Sequence, residues 1–316
     1  MAFRYMNPGY VSLLDRDCTA TQFTDTTYSK TGVAFIQTTL YKGFTVPNLP
    51  MMNELWCRFD FYLPDETSTR KELRFRIPAT SWTNELHFQW SANSKVADVS
   101  ECYQNIGYMI GDTYDYSDSI NFGEINKVLV HYIFKSSSSS NSYMAVQINN
   151  TQLPNSRLRS ITCDLSRSIA YIYTSTSLTP ISNIIISDQE LSIREYTTAL
   201  PITLTETNMT AGENGLYIAD AANQSLLQSV DAAALGALHG ANSQVTGVAL
   251  VGNPAYKTAE GLASFTSLSK ASDVVTEHDS FSLSDDTASV IQSNWALSNT
   301  NIADLQNMQF GWKAGE

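Results

Sequence analysis

The densest group of side chains able to ligate or bind is Gly111 to Ser119, GDTYDYSDS. Asp112, Asp115 and Asp118 recur every third residue, and hard carboxylate oxygens on a loop could hold calcium. The segment lacks the twelve-residue spacing and glycine of an EF-hand, so a solvated acidic loop is the competing reading. Tyr103, Tyr108, Tyr114 and Tyr116 lie in and just before it, and each offers an apolar ring with a polar tip suited to stacking on a sugar. Trp82, in the loop-like ATSWTN, joins them as an expected glycan contact, whereas Trp56 and Trp90 fall inside strand patterns and are expected in the core.

Catalytic sets are harder to assemble. Glycoside hydrolysis needs two carboxylates a defined distance apart. Glu54, Asp60, Asp65 and Glu66 flank or end one strand pattern and Glu85 opens another, but no pair shares a strand face at two-residue spacing. His87 and His131 sit within strands without a G-x-S-x-G elbow nearby, and His239 and His278 lack partners at metal-ligand spacing. Gly107 and Gly111 are not followed by the Lys-Ser or Lys-Thr of a phosphate loop. The expectation is structural histidines, no catalytic residue, no cofactor beyond the calcium alternative, and no enzymatic activity.

The elements that would position these residues are strands. VAFIQTT (33–39), LWCRFDFYL (55–63), LRFRI (73–77), ELHFQW (85–90), KVLVHYIF (127–134) and YMAVQI (143–148) are short and rich in aromatic and β-branched residues. Within 55–63 the alternation has the period of two of a sheet with one buried face. From about residue 195 the composition turns to Ala and Thr. Leu226, Leu227, Val230, Ala234, Leu235 and Leu238 recur at three- and four-residue spacing, which predicts one amphipathic helix over 223–238, ended by Gly240. Strand patterns resume at 245–251, 265–268, 280–283, 288–291 and 308–312. The expected architecture is therefore all-β in two domains, 1–195 and 196–316, the second smaller, mostly β and carrying the helix.

Bulk composition narrows the function classes. The 316 residues are 43% hydrophobic, enough for two cores, but only 16% charged. Nineteen basic against 31 acidic residues leave a net charge of −12, a field that repels nucleic acid and anionic membranes. From Thr197 onward three Lys stand against twelve Asp and Glu, so most of the excess belongs to the C-terminal third. Cys18, Cys57, Cys102 and Cys163 form no C-x-x-C pair and are expected as free, buried thiols. The start MAFRYMNPGY has neither the basic nor the apolar region of a signal peptide, and no apolar run reaches membrane-spanning length.

Four segments in order, NELWCRFDFYL (53–63), KVLVHYIF (127–134), YMAVQINN (143–150) and SNIIISD (182–188), resemble the concanavalin-A-like (laminin-G-like) superfamily over residues 1–195. That resemblance implies a lectin-like jelly-roll sandwich, and the glycosidase signature E-x-D-x-x-E known in the superfamily is missing. LLQSVDAAALGALHGANSQVTGVALVGNP (226–254) and LQNMQFGWKA (305–314) look like the C-terminal portion of bacteriophage and prophage structural proteins. Together the resemblances imply a virion component (tail fibre, tail tip or capsid decoration) that forms a homo-oligomer with other virion proteins around it and touches host-surface glycan. A carbohydrate-binding module of a secreted or surface protein is the alternative, and a divergent glycan-cleaving enzyme the third.

Overall fold

The computed structural model describes residues 3–9, 20–24, 34–38, 43–45, 54–63, 71–78, 83–91, 96–103, 114–115, 119–133, 143–152, 156–157, 171–173, 180–200, 202–255, 257, 262–283 and 289–315. The chain is all-β and divides into two compact units, Met1–Thr198 and Ala199–Glu316.

In the first unit the strands are β1 (Phe3–Asn7), β2 (Ala20–Thr24), β3 (Ala34–Thr38), β4 (Gly43–Thr45) and β5 (Glu54–Leu63). Next come β6 (Lys71–Pro78), β7 (Thr83–Ser91), β8 (Val96–Tyr103), β9 (Tyr114–Asp115) and β10 (Glu124–Ile133). They are followed by β11 (Tyr143–Ile148), β12 (Thr151–Gln152), β13 (Ser156–Arg157), β14 (Tyr171–Tyr173) and β15 (Ile181–Ser187). They form two antiparallel sheets. One runs β12-β11-β10-β5-β15-β3-β2, with β1 on β15 and β13 on β11; the other runs β4-β14-β6-β7-β8-β9. The chain passes repeatedly from one sheet to the other, as β3 to β4 to β5 to β6 and later β13 to β14 to β15, which is the connectivity of a β-sandwich rather than a meander.

The two-residue period of β5 explains its placement. Cys57, Phe59 and Phe61 are fully buried with Val128 and Val130 of β10 and Ile148 of β11, and make the apolar face of the first sheet. Burial pushes the Cys57 thiol far above its ordinary range, as fits an inert core thiol. The opposite face carries Glu54, Trp56, Arg58 and Asp60. Arg58 is nevertheless fully buried, and the chain after β15 reaches it at Ile193. Its Nε donates to the Ile193 carbonyl (3.3 Å), Nη1 donates to the Asn183 carbonyl (3.3 Å), and Nη2 lies 2.8 Å from Asp60 Oδ1. Asn183 is the extra residue of a bulge in β15, at φ 54°, a left-handed conformation that Asn adopts more readily than most residues. Its amide donates to Asp60 Oδ2 (3.0 Å) and its oxygen accepts from the Thr197 backbone N–H.

The second unit contains β16 (Ile202–Thr207), β17 (Thr210–Ala211), β18 (Tyr217–Ile218), β19 (Ser225–Val230), β20 (Gly247–Ala255), β21 (Ser264–Ala271), β22 (Val274–Ser282), β23 (Ser289–Ala296) and β24 (Met308–Gly315). A five-stranded antiparallel sheet, β16-β19-β24-β21-β22, shares a core with the β20-β23 pair, where Trp295, Phe310, Trp312 and Ile291 meet. The helix expected over 223–238 is corrected here. Residues 225–230 are a central strand, hydrogen-bonded to β16 and β24, and only α1 (Ala232–His239) is helical. Asp231 sets the break: its side chain accepts from the Ala234 backbone N–H (2.9 Å) as a helix N-cap. Pairing on both sides of β19 outweighs the helical spacing of its leucines.

Both edges of this sheet are bulged. Thr205 is extra in β16, because Leu204 pairs with Gln228 and Glu206 with Leu227. β22 has one residue more than β21 between the pairs Thr266–Ser280 and Leu268–Glu277. Such bulges twist an edge away from further pairing.

Candidate functional site

In the second sheet of the first unit, backbone register brings chemistry-bearing residues of three strands into the same cross-strand rows. In β6, Leu73, Phe75 and Ile77 alternate with Glu72, Arg74 and Arg76; in β7, Leu86, Phe88 and Trp90 alternate with Glu85, His87 and Gln89. In β14, Ile172 lies between Tyr171 and Tyr173. Register aligns the two sets. Tyr173 is opposite Arg74, Arg74 opposite His87, and His87 opposite Ser100. One step along, Tyr171 is opposite Arg76, Arg76 opposite Glu85, and Glu85 opposite Cys102. Residues directly opposite in antiparallel strands share a face, with Cβ atoms about 4.5–5.5 Å apart. By register, two adjacent cross-strand rows therefore contain two arginines, a histidine, a glutamate and two tyrosines.

The residue types in these rows are those that bind anions and move protons. Paired guanidinium groups match carboxylate or sulfate bidentately. Tyrosine and histidine can stack on a sugar ring or act as acid and base. Glu85 is the one carboxylate in the two rows, so the carboxylate pair of a glycosidase is not formed there.

No single segment of the sequence displays these rows, because they are assembled across three strands. Arg74 and Arg76 alternating with Leu73 and Phe75 were the available signal, but the tyrosines come from β14, about a hundred residues later, and only sheet order brings them alongside. Of the residues singled out by sequence, Tyr103 ends β8 opposite Asn84, Tyr114 lies in β9 opposite Val99, and Asp115 stands opposite Asp98. Trp82, Tyr108, Tyr116, Asp112 and Asp118 lie outside the described residues. Among the described residues no group of three His, Cys, Asp or Glu is placed to hold a metal.

A second cluster lies on the other sheet. His131 Nε2 is 2.6 Å from Glu54 Oε1, and its ring stacks on Trp56 at 3.6 Å between centroids. Trp56 and His131 are register partners on the face away from the core, so Trp56 is only half-buried, where the sequence pattern had placed it in the core. Nearby, burial raises the Glu195 carboxyl above its ordinary value, an effect that the Ser192 backbone and Arg58 oppose.

No family model and no curated protein matches the chain. Solved structures do resemble it. The alginate lyase Aly36B is 14% identical, with a TM-score of 0.35 over 57% of this chain and 86% of that one. An endo-β-1,4-glucuronan lyase from the fungus Trichoderma reesei is 8% identical, with a TM-score of 0.37 over 58% of this chain and 94% of its own. The Caenorhabditis elegans galectin LEC-6 is 9% identical, with a TM-score of 0.32 over 45% and 89%. These are jelly-roll β-sandwich proteins. At such identities and TM-scores none of them assigns an activity to this chain. The expectation of a chain without enzymatic activity is nonetheless corrected, since lyases stand among the similar structures.

Proposed function

We propose that the first unit is a glycan-recognising module that takes an acidic polysaccharide on the face built by β14, β6 and β7. The observation that carries this reading is the pair of cross-strand rows Tyr173–Arg74–His87 and Tyr171–Arg76–Glu85. Arg74 and Arg76 hold a uronate carboxylate, and the tyrosines pack against the ring. The same set supports cleavage by β-elimination. A base of the row, His87 or a tyrosine, takes the proton α to the carboxylate. The electron pair left behind forms the new C=C bond as the C–O bond to the next sugar breaks, and a tyrosine hydroxyl protonates the departing oxygen. The arginines stabilise the charge that develops on the carboxylate. The setting expected from the sequence, a bacteriophage or prophage appendage assembled as a homo-oligomer in a virion, belongs to this proposal, and mass photometry of the purified chain tests the assembly.

The site is tested by calorimetric titration with uronate oligosaccharides and with neutral glucan oligosaccharides of equal length, together with the ultraviolet absorbance of unsaturated products. Binding is expected for the uronates only, weakened about 10- to 100-fold by Arg74→Ala with Arg76→Ala, as befits loss of charge-assisted hydrogen bonds. His87→Gln is expected to retain binding and lower any turnover. Equal binding of neutral and acidic glycans, unchanged in the arginine variant, would sink the reading.

A further inference from the structure

The core of the second unit contains a polar inclusion that its packing does not require. Ser267 and Ser293 are fully buried and Ser269 nearly so. Their partners come from the bulge in β22, which turns two consecutive residues, His278 and Asp279, toward β21 and β23. His278 Nε2 is 2.8 Å from Ser269 Oγ, and its ring lies flat on Trp295, with centroids 4.1 Å apart and planes 9° apart. Asp279 Oδ2 accepts from Ser293 Oγ (2.8 Å), and Ser293 accepts from Ser267 (2.7 Å). Trp295 is 9% exposed, and among the described residues its indole N–H has no acceptor. A buried donor is costly to leave without a partner and is the kind of group that a ligand satisfies.

We infer that Ser269 and His278 form a nucleophile–base pair for small uncharged acyl esters, such as an O-acetylated alcohol, with the Trp295 N–H donating to the acyl oxygen. A nucleophile within hydrogen-bond reach of a base, itself held by a third group, is the arrangement that activates serine; here the stacked indole holds the imidazole. His278 lies on the edge strand β22 and is half-buried. The substrate is uncharged because Asp279 adjoins the pair and the unit carries a large acidic excess, and its acyl group is small because the Trp295 ring on which His278 stacks is itself packed in the core with Phe310. In the reaction Ser269 Oγ bonds to the acyl carbon as its proton passes to His278 Nε2. The C–O bond to the alcohol then breaks, and the departing oxygen takes that proton. Water, deprotonated by the same imidazole, displaces the acyl group as the acid and restores Ser269.

Burial lowers the His278 pKa below the ordinary 6.5, and Asp279 opposes this more weakly. Of the groups around it, Glu277 on the same strand is tied to Lys313, while β21 and β23 present Ser269 and the Trp295 ring. The imidazole is thus neutral, and competent as a base, down to mildly acid pH.

The experiment treats the full chain with a fluorophosphonate probe and maps the adduct by peptide mass spectrometry, then follows p-nitrophenyl acetate hydrolysis against pH. An adduct on Ser269 is expected, with hydrolysis rising through a midpoint below pH 6.5, lost in Ser269→Ala and slowed about 10²- to 10⁴-fold in His278→Gln. Labelling of the unmodified chain needs no variant to fold. No adduct on Ser269, or hydrolysis unchanged in Ser269→Ala, overturns the inference.

Discussion

Replacing Arg58 by alanine is expected to destabilise the first unit by about 3–5 kcal/mol, the usual cost of breaking one side of a buried ion pair. The Arg58 side chain is 1% exposed and its Asp60 partner 12%. Truncation leaves the Asp60 carboxylate without its countercharge and the Asn183 and Ile193 carbonyls without a donor. It also removes the hydrogen bond that ties Arg58 to the Ile193 backbone. Calorimetric melting of the full chain reads the effect as a lowered transition of the first unit. Arg58→Met with Asp60→Leu should recover part of the loss, because exchanging both charges for apolar groups leaves no uncompensated charge, although the Asn183 and Ile193 carbonyls still lose their donor. A loss below about 1 kcal/mol in Arg58→Ala would mean that the guanidinium contributes no more than a surface charge.

Gly311→Ala is expected to be the most damaging single-methyl change in the second unit. Gly311 lies in β24 between Leu227 of β19 and Leu268 of β21. A Cβ built there would sit 1.8 Å from the Leu226 carbonyl oxygen and 3.0 Å from the Leu227 Cα. Both obstacles are backbone, so no rotamer change relieves them, and the central strands must move apart. Overpacking of this kind costs about 1–3 kcal/mol, occasionally more. The upper end is expected here, seen as a fall of roughly 10 °C in the second unit's melting temperature. An unchanged melting temperature would show that the two strands do not approach so closely in solution.

These two residues show how unevenly the structure could be read in advance. The strands of the first unit were legible because a sheet with one buried face writes its period into the chain, as Leu55, Cys57, Phe59, Phe61 and Leu63 do against Trp56, Arg58 and Asp60. Arg58 appears in that pattern as an ordinary outward charge. Its burial comes from a segment more than 130 residues away, and nothing local announces it. The helix assigned to 223–238 failed for a related reason. Leu226, Leu227 and Val230 fit a helical stripe, yet two neighbouring strands supply the backbone hydrogen bonds of that segment.

The candidate sites differ in the same way. His87, Glu85 and His278 were visible as residues and dismissed for want of partners nearby in sequence. Their partners are Arg74, Arg76, Tyr171 and Tyr173 for the first site, and Ser269 and Trp295 for the second. Each set is gathered from three strands. In the second, a bulge redirects two consecutive side chains that a regular strand would send to opposite faces.

By itself, then, the sequence determined that this protein is all-β, that its C-terminal third is strongly acidic, and which face of β5 is apolar, since periodicity and charge are properties of consecutive residues. Tertiary structure alone decided which strands lie side by side, and so which arginine meets which tyrosine, which serine meets which histidine, and that Arg58 is enclosed. The physical reason is that cross-strand contact depends on register and sheet order, which arise from long-range pairing and burial that no local spacing records.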